Sequence, residues 1–145
     1  MHENGFEEID HTADAGIRVT AETLEQLLLA AARGMLHIML GQIPVAAPER
    51  LTHEELWIPN ESDAPDTLLH AWLSELLYQL TVRKSVPVHF DVRECRPASL
   101  RVTVSFQPLT REEAAAATEI KAVTWHGLTV ERATDGWRAE VIFDT

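Results

Sequence analysis

The run Asp10-His11-Thr12-Ala13-Asp14 brings two carboxylates, an imidazole and a hydroxyl together, with Glu7 and Glu8 just upstream and Gly16 just after. Carboxylate and hydroxyl oxygens are hard donors suited to Ca²⁺ or Mg²⁺, and the imidazole adds one borderline nitrogen. Small and polar residues here predict a loop between two apolar patterns. The same residue types also cap backbone N–H groups at turns and helix starts, which is their commoner use. A second acidic feature lies at the other end. Val141, Ile142 and Phe143 read as a core strand, so Asp144 and Thr145, with its terminal carboxylate, are expected to be held where that strand emerges rather than to fray. Two adjacent negative groups repel unless a cation lies between them or solvent screens them.

The other polar residues offer less. Alternation along Ile120 to His126 puts Lys121, Val123 and Trp125 on one face, where apolar neighbours could cover the lysine stem while its ammonium reaches an acid or solvent. His53, His70 and His89 stand alone on their elements and receive no role. Cys95 follows Glu94, which raises a thiol pKa, with Arg93 and Arg96 opposing, so an incidental thiol is expected. No glycine-rich phosphate loop, HExxH or Gly-x-Ser-x-Gly turn is present, which leaves nucleotide hydrolysis and acyl transfer without support.

Composition narrows the class. In 145 residues, 46% are hydrophobic and 24% charged, a balance that builds a core and excludes global disorder. That length predicts one domain over residues 1–145. A formal charge of −11 argues against strong direct nucleic-acid binding and favours a cation or a basic protein as complement. The lone Cys95 excludes an internal disulfide and a multi-thiolate zinc site, in keeping with a reducing compartment. Residues 1–10 are acidic and lack the apolar centre of a secretory signal, and the longest uncharged stretch, residues 34–48, is too short and broken for a bilayer. A cytoplasmic protein with no membrane role is expected.

Two helices and several strands must position these groups. Leu24, Leu27, Leu28, Ala31, Met35, Ile38 and Met39 recur at helical spacing, with Thr23 and Gln26 able to form a capping box and Gly41 to end the helix. A second amphipathic helix starts at Pro65 and carries Leu68, Leu69, Trp72, Leu73, Leu76, Leu77 and Leu80. Period-two patterns over Val86–Val92 and Leu100–Phe106 predict an antiparallel hairpin turning at Pro97. Further strands are read at Ile120–Trp125, Leu128–Arg132 and Trp137–Phe143, with turns at His126-Gly127 and Asp135-Gly136. Leu51–Ile58 and Ile17–Val19 are weaker strand patterns. The sum is an α+β, two-layer single domain with two amphipathic helices on a largely antiparallel or mixed sheet.

Several of these segments together resemble the archease family: Asp10 to Ile17 (DHTADAGI), Leu24-Glu25-Gln26-Leu27 with Ala30-Ala31 and Gly34-Met35, Leu69 to Tyr78 (LHAWLSELLY), Ile120 to His126 (IKAVTWH), and the ending Val141-Ile142-Phe143-Asp144. The likeness spans nearly the whole chain in order. Archeases are protein cofactors, not enzymes, of the tRNA-splicing RNA ligase that joins 2',3'-cyclic or 3'-phosphate ends to 5'-hydroxyl ends in tRNA splicing or RNA repair. The resemblance implies that this chain promotes guanylylation of the ligase's active-site histidine by GTP and supports multiple turnover. It implies a divalent cation, commonly calcium with Mg²⁺ or Mn²⁺ as options, held by Asp14, Asp144 and Thr145. Asp10, His11 and Lys121 are then supporting residues of the partner-activating surface. Trp125 stands where the family often has Tyr, and the Ala-rich tract Gln107 to Thr118 matches no family motif.

Two other classes use the same residues differently. A metal-dependent hydrolase would employ Asp10, His11, Asp14 and Asp144 and needs a metal-bound water with a nearby base. A passive chaperone-like module would act through an apolar surface and be indifferent to loss of Asp144. The activator reading requires the early acidic run and the tail to meet in space.

Overall fold

Among the described residues the apolar alternation is carried by eight strands: β1 (Gly5–His11), β2 (Asp14–Ala21), β3 (Thr52–Pro59), β4 (Ser85–Arg96), β5 (Ser99–Pro108), β6 (Ala122–Val123), β7 (Thr129–Ala133) and β8 (Gly136–Asp144). Helices α1 (Leu24–Leu40), α2 (Pro65–Thr81) and α3 (Arg111–Ala116) interrupt them, with a short 3-10 turn at Pro48–Arg50. The computed structural model describes residues 4–11 and 14–145, and the side chains of Asp10 and His11 lie outside that description. The class is α+β, as expected. The strands divide into two sheets, and all their pairings are antiparallel. In the larger sheet β1 pairs with β2 and β2 with β8, whose far edge is shared by β7 along Gly136–Glu140 and by β6 at Phe143–Asp144. The smaller sheet has the order β3-β5-β4.

Both long helices start and stop where the sequence places them. Thr23 accepts from the Gln26 N–H, and Gly41 closes α1 in the left-handed region at φ 75°. The expected capping box is only half made: Gln26 Oε1 is buried without a hydrogen-bond partner among the described residues. Pro65 opens α2 at its first turn, where a missing N–H costs nothing. Asn60 anchors that end, its Nδ2 donating to the carbonyls of Ala64 (2.8 Å) and Pro97 (2.7 Å), so the helix start is tied to the β4–β5 turn.

The apolar stripes of α1 and α2 meet the inward faces of the sheets in one contiguous core that includes Ile17, Leu28, Met35, Trp72, Leu76, Phe106 and Phe143. Each such side chain contributes about 1.5–3 kcal/mol by leaving water. Trp72 is fully buried, donates Nε1–H to the Leu28 carbonyl at 2.9 Å and meets Phe90 edge-on at 5.7 Å, joining α2 to α1 and β4. No helix among the described residues is long and apolar enough to cross a membrane.

Several expectations change in extent. Residues 5–11 form an edge strand that periodicity did not reveal, because Glu7 and Glu8 interrupt the apolar pattern of Phe6 and Ile9. Charges of this kind are common on edges, where they discourage further pairing. Ile17–Val19 proves to be the middle of β2, and of Ile120–Trp125 only Ala122–Val123 is strand. The Gln107–Thr118 tract contains α3, which opens with a complete Thr110/Glu113 capping box. Gly136 lies after the β7–β8 turn at φ 149°, where an added Cβ would meet the Ala21 carbonyl oxygen at 2.3 Å. Only glycine fits that close approach.

Candidate functional site

The site is built at one end of the five-stranded sheet. Ile17, Val19 and Ala21 of β2 and Ala139, Val141 and Phe143 of β8 are all buried and point toward the helices. Their alternates therefore face outward: Asp14, Gly16 and Arg18 on β2, and Glu140, Ile142 and Asp144 on β8. Ala15 pairs with Phe143, Gly16 with Ile142 and Arg18 with Glu140. One further step of that register sets Asp14 opposite Asp144, on the same outward face.

The same row extends across the sheet. On one side His11 pairs with Asp14, and on the other Ala122 pairs with Asp144 while the Lys121 N–H donates to the Asp144 carbonyl at 2.7 Å. Asp14, Asp144, Thr145 and Lys121 thus share one end of the sheet. Asp10 pairs with Ala15, one position off this row. Of the loop expected over Asp10 to Asp14, Asp10 and His11 instead end β1 and Asp14 begins β2. Polar residues read as loop there because they lie at strand ends. Thr12 and Ala13, and the side chains of Asp10 and His11, lie outside the described residues.

Close packing holds this end together. A Cβ on Gly16 would meet side-chain atoms of Ile142 and Ile9 at 2.9 Å and the Val141 carbonyl at 3.1 Å, so the glycine lets β1, β2 and β8 close behind the acidic row. Farther along the outward face, Arg18 bridges Glu7 at 2.7 Å and Glu140 at 3.4 Å. These charges are exposed, and solvent screening leaves such pairs little net stabilisation.

The Lys121 segment departs from its expected alternation. Val123 is buried, whereas Lys121 and Trp125 are exposed, because the chain bends after two strand residues. His70 explains what fixes the bend. Its Nε2 lies 2.9 Å from the Val123 carbonyl oxygen, and its ring stacks on Trp125 at 3.7 Å with planes 7° apart. Thr124 adds a backbone bond of 3.1 Å and a hydroxyl bond of 2.9 Å to the Ile142 carbonyl. His70 thereby positions the segment bearing Lys121. An isolated histidine on an amphipathic helix gives no signal of this, beyond its place inside an otherwise apolar stretch.

Asp14, Asp144 and Thr145 offer only oxygen donors at this end of the sheet. Such donors fit a hard cation such as Ca²⁺ or Mg²⁺ in chemistry and charge. Among the described residues no three His, Cys, Asp or Glu side chains are grouped to hold a metal ion.

Cys95 carries no chemistry. Burial pushes its thiol from 9.0 up to about 11, with Glu25 adding to the rise. Arg96 does not oppose it as the neighbouring sequence implied, being paired with Glu94 at 2.6 Å. A raised thiol pKa favours the neutral form in the fold, so its contribution to stability is complete below the unfolded value and is lost as pH rises through about 11. Native Cys95 should therefore react with iodoacetamide at least about tenfold more slowly than the unfolded chain at about pH 8. Equal rates would contradict this.

Residues 6–145 match the model of the archease protein family (MTH1598/TM1083). The chain is 34% identical over 142 residues to protein archease of Methanopyrus kandleri, covering 96% of this chain and 98% of that one. It is 33% identical to protein archease of Methanosarcina mazei, covering 96% and 94%. Among solved structures, it is similar to the solution structure of Methanobacterium thermoautotrophicum protein 1598, with TM-score 0.68, 26% identity and 97% and 99% of the two chains covered. The crystal structure described as an archease, possible chaperone, from Thermotoga maritima matches with TM-score 0.66, 26% identity and 96% of each chain covered.

Proposed function

This chain belongs to the archease family, and on that footing we propose that it is a protein cofactor of the tRNA-splicing RNA ligase, promoting guanylylation of the ligase's active-site histidine by GTP and sustaining turnover. The observation that supports the reading is the β2–β8 register, whose last pair is Ala15 with Phe143, so that one further step would set Asp14 opposite Asp144. Two carboxylates held side by side on an outward sheet face repel each other and raise the local affinity for a divalent cation.

Asp14, Asp144 and Thr145 would hold that cation, Ca²⁺ first and Mg²⁺ or Mn²⁺ as options. When bound it neutralises the carboxylate pair and supplies positive charge that phosphate or carboxylate oxygens can approach. The chain's own part is placement. The Lys121 N–H fixes the backbone of Asp144, Gly16 lets the hairpin close behind it, and His70 holds the adjoining segment. Asp10 and His11, paired with Ala15 and Asp14, belong to the same tip.

A chain of charge −11 is steered toward a basic RNA-handling surface, so association should be fast and salt-sensitive. Preferential binding to the ligase conformation competent for guanylylation then shifts its population, which is how a non-enzymatic partner raises the rate. The test is GTP-dependent labelling of the cognate ligase at substoichiometric chain. Repeated rounds of guanylylation and ligation are expected with the chain and a single slow round without it. Identical time courses would refute the reading.

A further inference from the structure

A groove of about 580 Å³ lies beside the acidic tip, between the ends of α1 and α2, the Leu109–Lys121 segment and Lys84. Its accessible apolar lining is the half-buried Leu109 with Ala114 and Ala117 of the α3 region, over the almost fully buried Met39, Leu80 and Ile120. The wall is fixed. Leu109 N–H donates to the Lys84 carbonyl at 2.8 Å, Thr118 N–H to that of Met39 at 2.8 Å, and α3 is capped at Thr110.

The charges around it are unusual for this molecule. Lys84 and Lys121 are the only lysines in the sequence, and both line this groove together with Glu119, while Asp144 adjoins Lys121 through its backbone bond. Neither lysine has an ion pair among the described residues, as is also the case for Arg33, Arg50, Arg111, Arg132 and Arg138, whereas Arg18, Arg83, Arg93, Arg96 and Arg101 are paired. A chain of charge −11 therefore keeps two uncommitted ammonium groups flanking one apolar trough. Lys84 also sits at φ 55°, a conformation glycine or asparagine adopts at lower cost.

We propose that this groove seats an acidic segment of the protein partner, which buries an apolar side chain on the Leu109–Ile120 floor and places carboxylates against Lys84 and Lys121. The groove's position next to Lys121, whose N–H bonds to Asp144, would bring that partner onto the acidic tip in fixed register. Identifying the partner as the RNA ligase rests on the reading above.

The test separates docking from activation by measuring the affinity of the cognate ligase for the whole chain and, separately, the guanylylation rate at saturating chain. Lys84→Gly removes the charge while relaxing the backbone, so folding is preserved, and Ala114→Trp fills the trough from an exposed helix position. Both are expected to weaken ligase binding by at least about tenfold, Lys84→Glu by more, with stimulation restored at saturation. Wild-type affinity in all three variants would overturn the groove assignment, as would a wild-type chain that does not bind the ligase. Groove-dependent binding without any stimulation would uphold the groove and defeat the activator reading instead.

Discussion

Asp144→Ala should cut ligase stimulation by at least about 10- to 100-fold, the usual cost of disturbing a metal-binding constellation, while leaving the fold in place. Asp144 is exposed at the end of β8 and faces away from the core, which in its neighbourhood is supplied by Val141 and Phe143. Its backbone bonds to the Lys121 segment do not depend on the side chain. The expected change in unfolding free energy is therefore within about 0.5 kcal/mol, with relief of the like-charge repulsion between Asp144 and Asp14 acting in the stabilising direction. Guanylylation assays and urea titration of the same preparation separate the two effects. Stimulation equal to wild type would instead favour a passive module indifferent to this residue.

Trp72→Ala should be the most damaging single change to the fold, costing about 3–5 kcal/mol. The indole is completely buried, and its removal empties the junction of α1, α2 and β4 while abolishing the hydrogen bond to the Leu28 carbonyl and the edge contact with Phe90. Trp72→Phe should cost less, since it keeps aromatic volume and loses the donor. Urea unfolding followed by far-UV circular dichroism reads both variants. A loss below about 1 kcal/mol for Trp72→Ala would mean that the core collapses around the site far more readily than such sites do.

The helices were legible because burial repeats every three to four residues over long stretches and both boundaries carry chemical marks, Thr23 and Gly41 for α1 and Pro65 for α2. The β4–β5 hairpin was legible for the same reason at period two. What escaped was short or decided by partners distant in sequence. β1 is an edge strand with charges on it, and its strand character comes from pairing with β2. The strand expected over Ile120–Trp125 shrinks to Ala122–Val123 because His70, fifty-three positions away from Val123, takes the next carbonyl-side contact and Trp125 with it. α3 was hidden by an Ala-rich composition without an apolar stripe, its start set by the Thr110/Glu113 box. The acidic residues at each end were visible individually, but only the β2–β8 register puts them on one face.

Calorimetric titration of Ca²⁺ into the wild type, Asp14→Asn, Asp144→Asn and the double variant decides whether the two carboxylates form one site. A shared site predicts that each single substitution weakens binding by at least about tenfold, and that the double variant loses far less than the two losses combined, because either change alone already dismantles the site. Losses that simply add, or a wild-type chain that takes up no divalent cation, would contradict it.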